Sequence, residues 1–401
     1  MNWIACTPRS FPGTEEGFFS RDSGLCCRAL QALGARARVV MPEPAHPGDQ
    51  ADVLRVPFAR LSDPAFWRAQ RADAVILYSW ADPRYTPVAR AIKLGGARLF
   101  VNLDSYGWFS PIGAPREYIS AIFAAEFGKH GRALGAMRAG ARLIFQTLAR
   151  RRHAARLRHM AWADAVGVVS PIAAQRVHDY TCRFNRADVA AQVHFVPHPV
   201  DEIMRYDGRA KEPTVVAVGR WDDAAQKRPE VLVAVAAAVL ARHQTARFLI
   251  AGRDANHCVE RIRAQYPLGA GRVAGAERLS HPELQQALCA ATISLCTSRY
   301  ESFHIVSGEA LLCGCTVVGP RSPLLPSLDY FSDGGDSGRL SENTIQALAE
   351  TLLAELDAWR QGLRAPAAIA GIWRERIAAS AVVSRIERLL FNQPAERSRT
   401  P

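Results

Sequence analysis

Glu301 and Glu309 stand at the two ends of the stretch best equipped for chemistry. An apolar run over residues 291–296 leads into a polar turn that carries Glu301. A short helical pattern beginning just past Tyr300 carries Glu309. Gly314 stops it, and the β-branched run Thr316, Val317, Val318 starts another strand. In a strand–loop–helix–strand unit the loop amides and the helix N-terminus converge on one point, which suits an anion such as a diphosphate. Carboxylates repel phosphate, so two of them flanking that point are left to accept hydrogen bonds from sugar hydroxyls. A diphosphate between two polyols is a nucleotide-sugar. The spacing by itself decides nothing. Glu342 and Glu350 repeat it inside what reads as an ordinary surface helix, and Glu301 has a plainer reading as an acidic neighbour of a helix N-cap. Only the setting of Glu301 and Glu309 separates the two pairs.

Further positions could serve the same chemistry. A strand pattern over 214–218 ends in Gly219-Arg220, and Lys227 follows. Glycine at a strand end lets backbone approach a ligand. The planar fork of Arg and the point charge of Lys both suit a diphosphate whose charge grows as it leaves. The ordinary reading is a pair of surface cations. In the loop 8–17, Gly13 can bring backbone close to a ligand, or simply make a turn. A strand over 99–103 runs into Asp104, placed to orient or deprotonate an acceptor hydroxyl, or to cap a turn.

Charge is unevenly spread. The chain of 401 residues has a formal net charge of +12, and residues 127–163 contain no acid. Lys129, Arg132, Arg138, Arg142, Arg150, Arg151, Arg152, Arg156 and Arg158 all fall there. Such a stretch attracts a polyanion. Within it Leu134, Met137, Ala141, Ile144 and Leu148 recur at helical steps, with Arg138 and Arg142 off the stripe. The pattern reads either as a basic helix docking on anionic membrane or a lipid-linked acceptor, or as an apolar face on the core with its arginines in water. Only Phe145 and Trp162 interleave with the basic run as aromatic residues, which argues against stacking on single-stranded nucleic acid.

These positions need a scaffold, and the rest of the chain supplies its pattern. Strand signals at 3–6, 38–41, 74–78, 99–103, 165–169 and 193–196 alternate with helices, one of them over 22–33 ending at Gly34. A second series follows at 214–218, 247–251, 272–274, 291–296 and 315–318. Alternation of this kind makes a parallel sheet covered on both faces, here twice. The length exceeds one core, and 49% apolar residues can fill two. Pro197-His198-Pro199 to Pro213 reads as the hinge between domains 1–199 and 200–374, with the helical pattern 372–390 packing back on the first domain as a segment near 375–392. Two facing sheets of this type are expected to hold substrate in a cleft at their strands' carboxyl ends. The start of the chain reads as a first strand, with no signal peptide, which places the protein in the cytosol. Nine cysteines without a C-x-x-C read as small buried hydrophobes in a reducing compartment. No Asp-x-Asp, no G-x-G-x-x-G after the first strand and no P-loop occurs.

Taken together the motifs resemble the GT-B glycosyltransferases, most closely glycosyltransferase family 4. The resemblance rests on Gly219-Arg220 with Lys227, and on the turn Arg272-Val273-Ala274-Gly275. It continues in Glu301-Ser302-Phe303-His304 with Glu309 and Gly314, and in Asp333-Gly334 through Gly338. Earlier, Ala163-Asp164-Ala165-Val166 through Ser170 and Val196-Pro197-His198-Pro199-Val200-Asp201 are similar to family elements. It covers nearly the whole chain, most specifically beyond residue 214. The resemblance implies that Arg220 and Lys227 hold the diphosphate and that Val273 and Ala274 lie in the base region. It implies that Glu309 binds the ribose, that Glu301 contacts the donor sugar, that the loop amides of Phe303 and His304 meet the phosphate, and that Ser302 belongs to the same donor-binding loop. Two departures stand out: His304 replaces the usual Gly, and Asp104 stands where the family often has His.

The expectation is an α/β chain of two Rossmann-like doubly wound domains. It would be a metal-independent, retaining glycosyltransferase without cofactor, moving a hexose-type sugar from a nucleoside diphosphate to a glycan, lipid-linked or other hydroxyl acceptor. It would act in the cytosol, peripherally on the inner membrane face, and bind no nucleic acid. The alternatives are a nucleotide-sugar epimerase, a glycogen-type phosphorylase, and a basic membrane- or nucleic-acid-binding protein with an inactive cleft.

Overall fold

The computed structural model describes residues 1–20, 22–148, 150–332 and 336–391; Asp333 and Gly334 of the motif above lie outside them. The chain divides into two units. The first comprises Met1–Phe109, Thr147–Asp201 and Arg376–Pro401, and the second Ser110–Gln146 and Glu202–Glu375. Segment 110–146 therefore groups with the second unit, although in sequence it lies inside the expected first domain.

The first unit is built on a seven-stranded sheet in the order β3-β2-β1-β4-β5-β6-β7. Its strands are β1 (Asn2–Cys6), β2 (Arg36–Pro42), β3 (Val53–Val56), β4 (Ala74–Tyr78), β5 (Arg98–Asn102), β6 (Ala165–Val168) and β7 (Val193–Phe195). Every pairing is parallel. Alternate residues feed opposite faces, as a strand's two-residue period requires. Trp3, Ile76 and Phe100 pack with Leu25, Leu30, Val383 and Ile386, from helices Asp22–Ala32 and Ala379–Phe391. Ile4, Val75, Leu77 and Val101 pack on the other side with Trp67, Val88, Ile92 and Val177. The helix Ala379–Phe391 thus belongs to the first unit's core although it ends the described chain. Its Val383 and Ile386 are each about 1% exposed, so Ile386→Ala would cost about 2–5 kcal/mol.

The second unit has a six-stranded sheet in the order β10-β9-β8-β11-β12-β13. Its strands are β8 (Glu212–Val218), β9 (Arg247–Ala251), β10 (Val273–Ala276), β11 (Ala291–Leu295), β12 (Thr316–Pro320) and β13 (Gly338–Ser341). These pairings are parallel too. One face packs Val215, Ala217, Phe248, Ile250 and Ile293 against Leu232, Val235 and Val239 of helix Pro229–Arg242. Against the other lies the short helix Ile305–Leu312. Two strands have no counterpart in the sequence reading, β3 and β13. Both are four-residue edge strands with partly exposed side chains, so they lack the apolar run that marks a central strand.

Segment 110–146 contributes a helical hairpin to the second unit. Helices Arg116–His130 and Arg132–Leu148 are joined at Gly131, whose φ of 73° is the left-handed turn conformation that glycine tolerates. A Cβ at Gly135 would come within 2.8 Å of the Phe127 ring and 2.9 Å of the Glu126 carbonyl, so the two helices touch there through a bare backbone. No helix among the described residues is long and apolar enough to cross a membrane.

Candidate functional site

In the second unit, the loops that leave β8 and β11 are bound to one another. After β8 comes Gly219, and beside it Gly252 ends β9 with φ 101°; a Cβ on Gly252 would lie 2.0 Å from the Gly219 oxygen. The two strand ends can approach only because that position is glycine. Trp221 then buries its ring and donates from Nε1 to the Ala251 carbonyl at 3.0 Å, which anchors the start of the loop. Asp223 caps the one-turn helix Ala224–Lys227, accepting from the Gln226 amide at 3.2 Å, and Arg228 at φ 56° closes it. This single turn aims Gln226 and Lys227 at the β11 loop. Backbone ties hold the two loops in register: the Arg299 amide donates to the Gln226 carbonyl at 2.7 Å, and Thr297 Oγ1 to the Lys227 carbonyl at 2.8 Å.

Glu301 is the centre of the arrangement. Its Oε1 accepts from Lys227 Nζ at 2.5 Å and from Ser298 Oγ at 2.8 Å, and its Oε2 from Gln226 Nε2 at 3.1 Å. The side chains of Lys227 and Glu301 are only 13% and 11% exposed, so water screens the pair weakly. Gln226 reaches further. Its Nε2 also donates to the Tyr300 carbonyl at 3.2 Å, and its Oε1 accepts from Arg220 Nη2 at 2.9 Å. One amide side chain therefore ties Arg220 to Glu301. Arg220 is otherwise more than half exposed, 3.7 Å from Asp223. The sequence reading named Arg220, Lys227 and Glu301 but not Gln226 or Ser298, and the only available signal was Gln226's place directly before Lys227.

The helix carrying Glu309 starts at Ile305, later than the sequence suggested, so residues 300–304 are loop. His304 is its N-cap residue, but the imidazole does not cap it: Nδ1 pairs with Ser307 Oγ at 2.7 Å, and the side chain is buried. The His304 amide donates to Ser327 Oγ at 3.3 Å. Burial, helped by the Lys227 charge, lowers the imidazole pKa to about 4, so His304 is neutral at pH 7. Phe303 is buried edge-on against Phe331 at 4.9 Å, and Ser302 is half-buried beside it. Glu309 is buried on a helix whose last six residues are all buried.

Register separates Val273 and Ala274 from this group. Ala276 pairs with Ala251, which pairs with Val218, so Ala276 is level with the residue before Gly219. Val273 and Ala274 sit two to three residues below that edge, and the Val273 side chain joins the core. At the edge itself stands Glu277, whose carboxylate accepts from the Asp254 and Asn256 amides at 2.8 and 2.9 Å.

The remaining two predicted positions belong to the first unit. Gly13 has its amide engaged, donating to Asp49 Oδ1 at 2.8 Å, and a Cβ there would press on Val53 at 2.7 Å. Arg55 holds Asp49 with two hydrogen bonds and keeps its carboxyl well below the usual range. Asp104 lies just past β5 at φ 44°, and Trp80 and Ala81 just past β4 at φ 51° and 52°. Non-glycine residues in this region cost about 1–3 kcal/mol each and gather at functional sites. Asp104 Oδ1 is 2.8 Å from His198 Nε2, and its Oδ2 accepts from Trp80 Nε1 at 3.2 Å. His198 is buried and stacked on Tyr78, with ring centroids 6.0 Å apart. From the sequence His198 was only a hinge residue. Its pairing with a side chain 94 positions earlier is a product of the fold.

Among the described residues, no three His, Cys, Asp or Glu side chains group as a metal site. Chemically, the β8 and β11 loops offer a partly buried ammonium and a guanidinium beside a carboxylate and a helix N-terminus. That combination can hold an anion and a polyol together.

Residues 212–357 match the family model Glycosyl transferases group 1. No curated protein matches the chain. Among solved structures, sucrose-phosphate synthase from Thermosynechococcus elongatus is similar at 19% identity, covering 97% of this chain and 98% of that one, with a TM-score of 0.61. HepE of Anabaena, in complex with UDP and glucose, is similar at 15% identity over 98% of this chain and 100% of its own, TM-score 0.61. The lipopolysaccharide outer core galactosyltransferase WaaB is similar at 15% identity over 97% and 99%, TM-score 0.63. At these identities the likeness is one of fold. The matched segment contains Arg220, Gln226, Lys227, Glu301 and Glu309. The chain has the GT-B fold, and its residues 212–357 match the family model of glycosyl transferases group 1.

Proposed function

We propose that this protein moves a sugar from a nucleoside diphosphate to an acceptor hydroxyl with retention of configuration. The observation that carries the reading is the contact of Lys227 with Glu301 inside the matched domain. An ammonium has three donors, and Glu301 takes one, so others can meet the diphosphate. A carboxylate accepts about four hydrogen bonds, and Lys227, Ser298 and Gln226 supply three, leaving room for one sugar hydroxyl. Arg220 joins Lys227 on the diphosphate, and Glu309 takes the ribose. The amides at the start of helix Ile305–Leu312 add to the anion site. The complexes of HepE with UDP and with UDP-glucose support the donor class.

In this reading the bond from the sugar's anomeric carbon to the diphosphate oxygen breaks. A bond to the acceptor oxygen forms on the same face, and the acceptor proton passes to the departing phosphate. The protein's work is positioning and stabilising charge on that phosphate, so no metal is required. Asp104, held by His198 and Trp80, is assigned to the acceptor hydroxyl. The acceptor is a glycan or lipid-linked hydroxyl at the cytosolic face of a membrane, in bacterial-type glycan or glycolipid synthesis.

A thermal-shift panel of UDP, GDP, ADP and their sugars tests the donor site. A matching nucleotide at a hundred times its Kd should add about 2.7 kcal/mol of stability. The same donor should then release or transfer its sugar. A flat response across the panel would sink the reading.

A further inference from the structure

The hairpin helix Arg132–Leu148 is turned the wrong way round for a helix of a water-soluble surface. Its small residues Gly135 and Ala139 face the protein and are buried. Its large apolar residues face out: Met137 is 70% exposed, Ile144 62%, Leu148 73% and Phe145 56%. At 3.6 residues per turn these four and Leu134 fall within an arc of about 100°, on the side away from Gly135 and Ala139. A core-facing stripe would show the reverse burial. Contiguous apolar surface of this kind marks an interaction site.

Charge says what covers it. Lys129, Arg132, Arg138 and Arg142 lie on the same hairpin, all exposed. The nearby carboxylate of Glu126 faces two of these arginines and His130, at 3.2 to 3.7 Å. From residue 127 to 163 no other acid occurs, and the whole chain carries +12. A second copy laid on this face would set one cationic rim against another. A surface of anionic lipid headgroups offers the opposite charge to the rim and hydrocarbon to the apolar arc.

We propose that helix Arg132–Leu148 docks in the plane of an anionic bilayer. Met137, Ile144, Phe145 and Leu148 enter the headgroup–acyl boundary, and the flanking basic residues meet lipid phosphates. A Cβ added at Gly128, on the partner helix, would lie 3.8 Å from the Ala225 side chain in the turn that presents Lys227, so the hairpin lies beside the donor loop. The docking face does not depend on the transfer reaction, and its test does not measure it.

Flotation of the full chain with two kinds of vesicle decides the matter, phosphatidylcholine alone and equal parts phosphatidylcholine and phosphatidylglycerol. The chain should float with the second and not the first. Met137→Glu combined with Ile144→Glu should weaken that binding about tenfold or more at an unchanged melting temperature, since both side chains are already in water. Arg138→Gln with Arg142→Gln should weaken it by about tenfold. Absence of binding to the anionic vesicles, or undiminished binding by the Met137→Glu, Ile144→Glu variant, would overturn the proposal. So would a wild-type dimer in light scattering that this variant breaks, because a second copy would then be the occupant.

Discussion

Replacing Lys227 by Met and, separately, Glu301 by Gln breaks the same contact from its two sides, yet the two variants should fail differently. Lys227→Met leaves Glu301 charged, 11% exposed, and facing only Ser298 and Gln226. Stranding one charge of a buried pair costs about 3–5 kcal/mol, and the two remaining donors and partial solvent access reduce that to about 2–3 kcal/mol. Glu301→Gln meets another problem. All three neighbours donate to the carboxylate, so an amide must turn its NH2 toward either Lys227 or Gln226. One bond is lost, at about 1–2 kcal/mol. Function should separate them more sharply. Without the ammonium, the nucleotide that gave the largest thermal shift should bind about 10- to 100-fold more weakly, the loss of one charge-assisted hydrogen bond. Turnover should fall about 100- to 1,000-fold, as for removal of one donor to a developing oxyanion. Glu301→Gln should keep nucleotide affinity within about threefold, because its carboxylate is assigned to the sugar, while turnover falls about as far. Urea unfolding, calorimetric titration of the free nucleotide and initial rates with the full donor measure the three quantities. Equal losses of nucleotide affinity in the two variants would refute the division of labour. Normal turnover in both would make the ion pair a structural brace and nothing more.

Gln226→Ala removes the tie between Arg220, Tyr300 and Glu301; it should cost about 1–2 kcal/mol in urea unfolding and lower turnover about tenfold. Unchanged rates would show that Arg220 and Glu301 are positioned without it. Burial lowers the pKa of His159 and of His304 from 6.5 to about 4, so the unfolded chain binds more protons between those values. Stability is therefore complete above pH 6.5 and is lost as pH falls toward 4. About 2 kcal/mol per histidine should be gone by pH 5 in urea titrations, and a flat profile would contradict neutral, buried imidazoles. Asp104→Asn keeps a residue that tolerates φ 44° but removes the charge facing His198; turnover should fall about tenfold or more with the melting point held. Full activity would remove Asp104 from the reaction.

Local pattern determined much of this protein. Alternating apolar runs and helical stretches placed eleven of the thirteen strands found among the described residues, because a central strand buried on both faces must be apolar along its length. That Arg220, Lys227 and Glu301 come together could be anticipated because each follows a strand end, where the loops of parallel sheets carry side chains. The stripe from Leu134 to Leu148 and the acid-free run around it were equally plain. Tertiary structure decided what periodicity cannot encode. Whether that stripe faced core or solvent depended on where the hairpin packed, and Gly135 against Phe127 settled it. Val273 and Ala274 dropped below the strand ends because sheet register is set by long-range pairing with β9. Gln226 and His198 acquired their hydrogen-bond partners only when loops 74 and 94 positions apart were brought within reach. Sequence spacing reports neighbours along the chain, whereas these contacts are made across it.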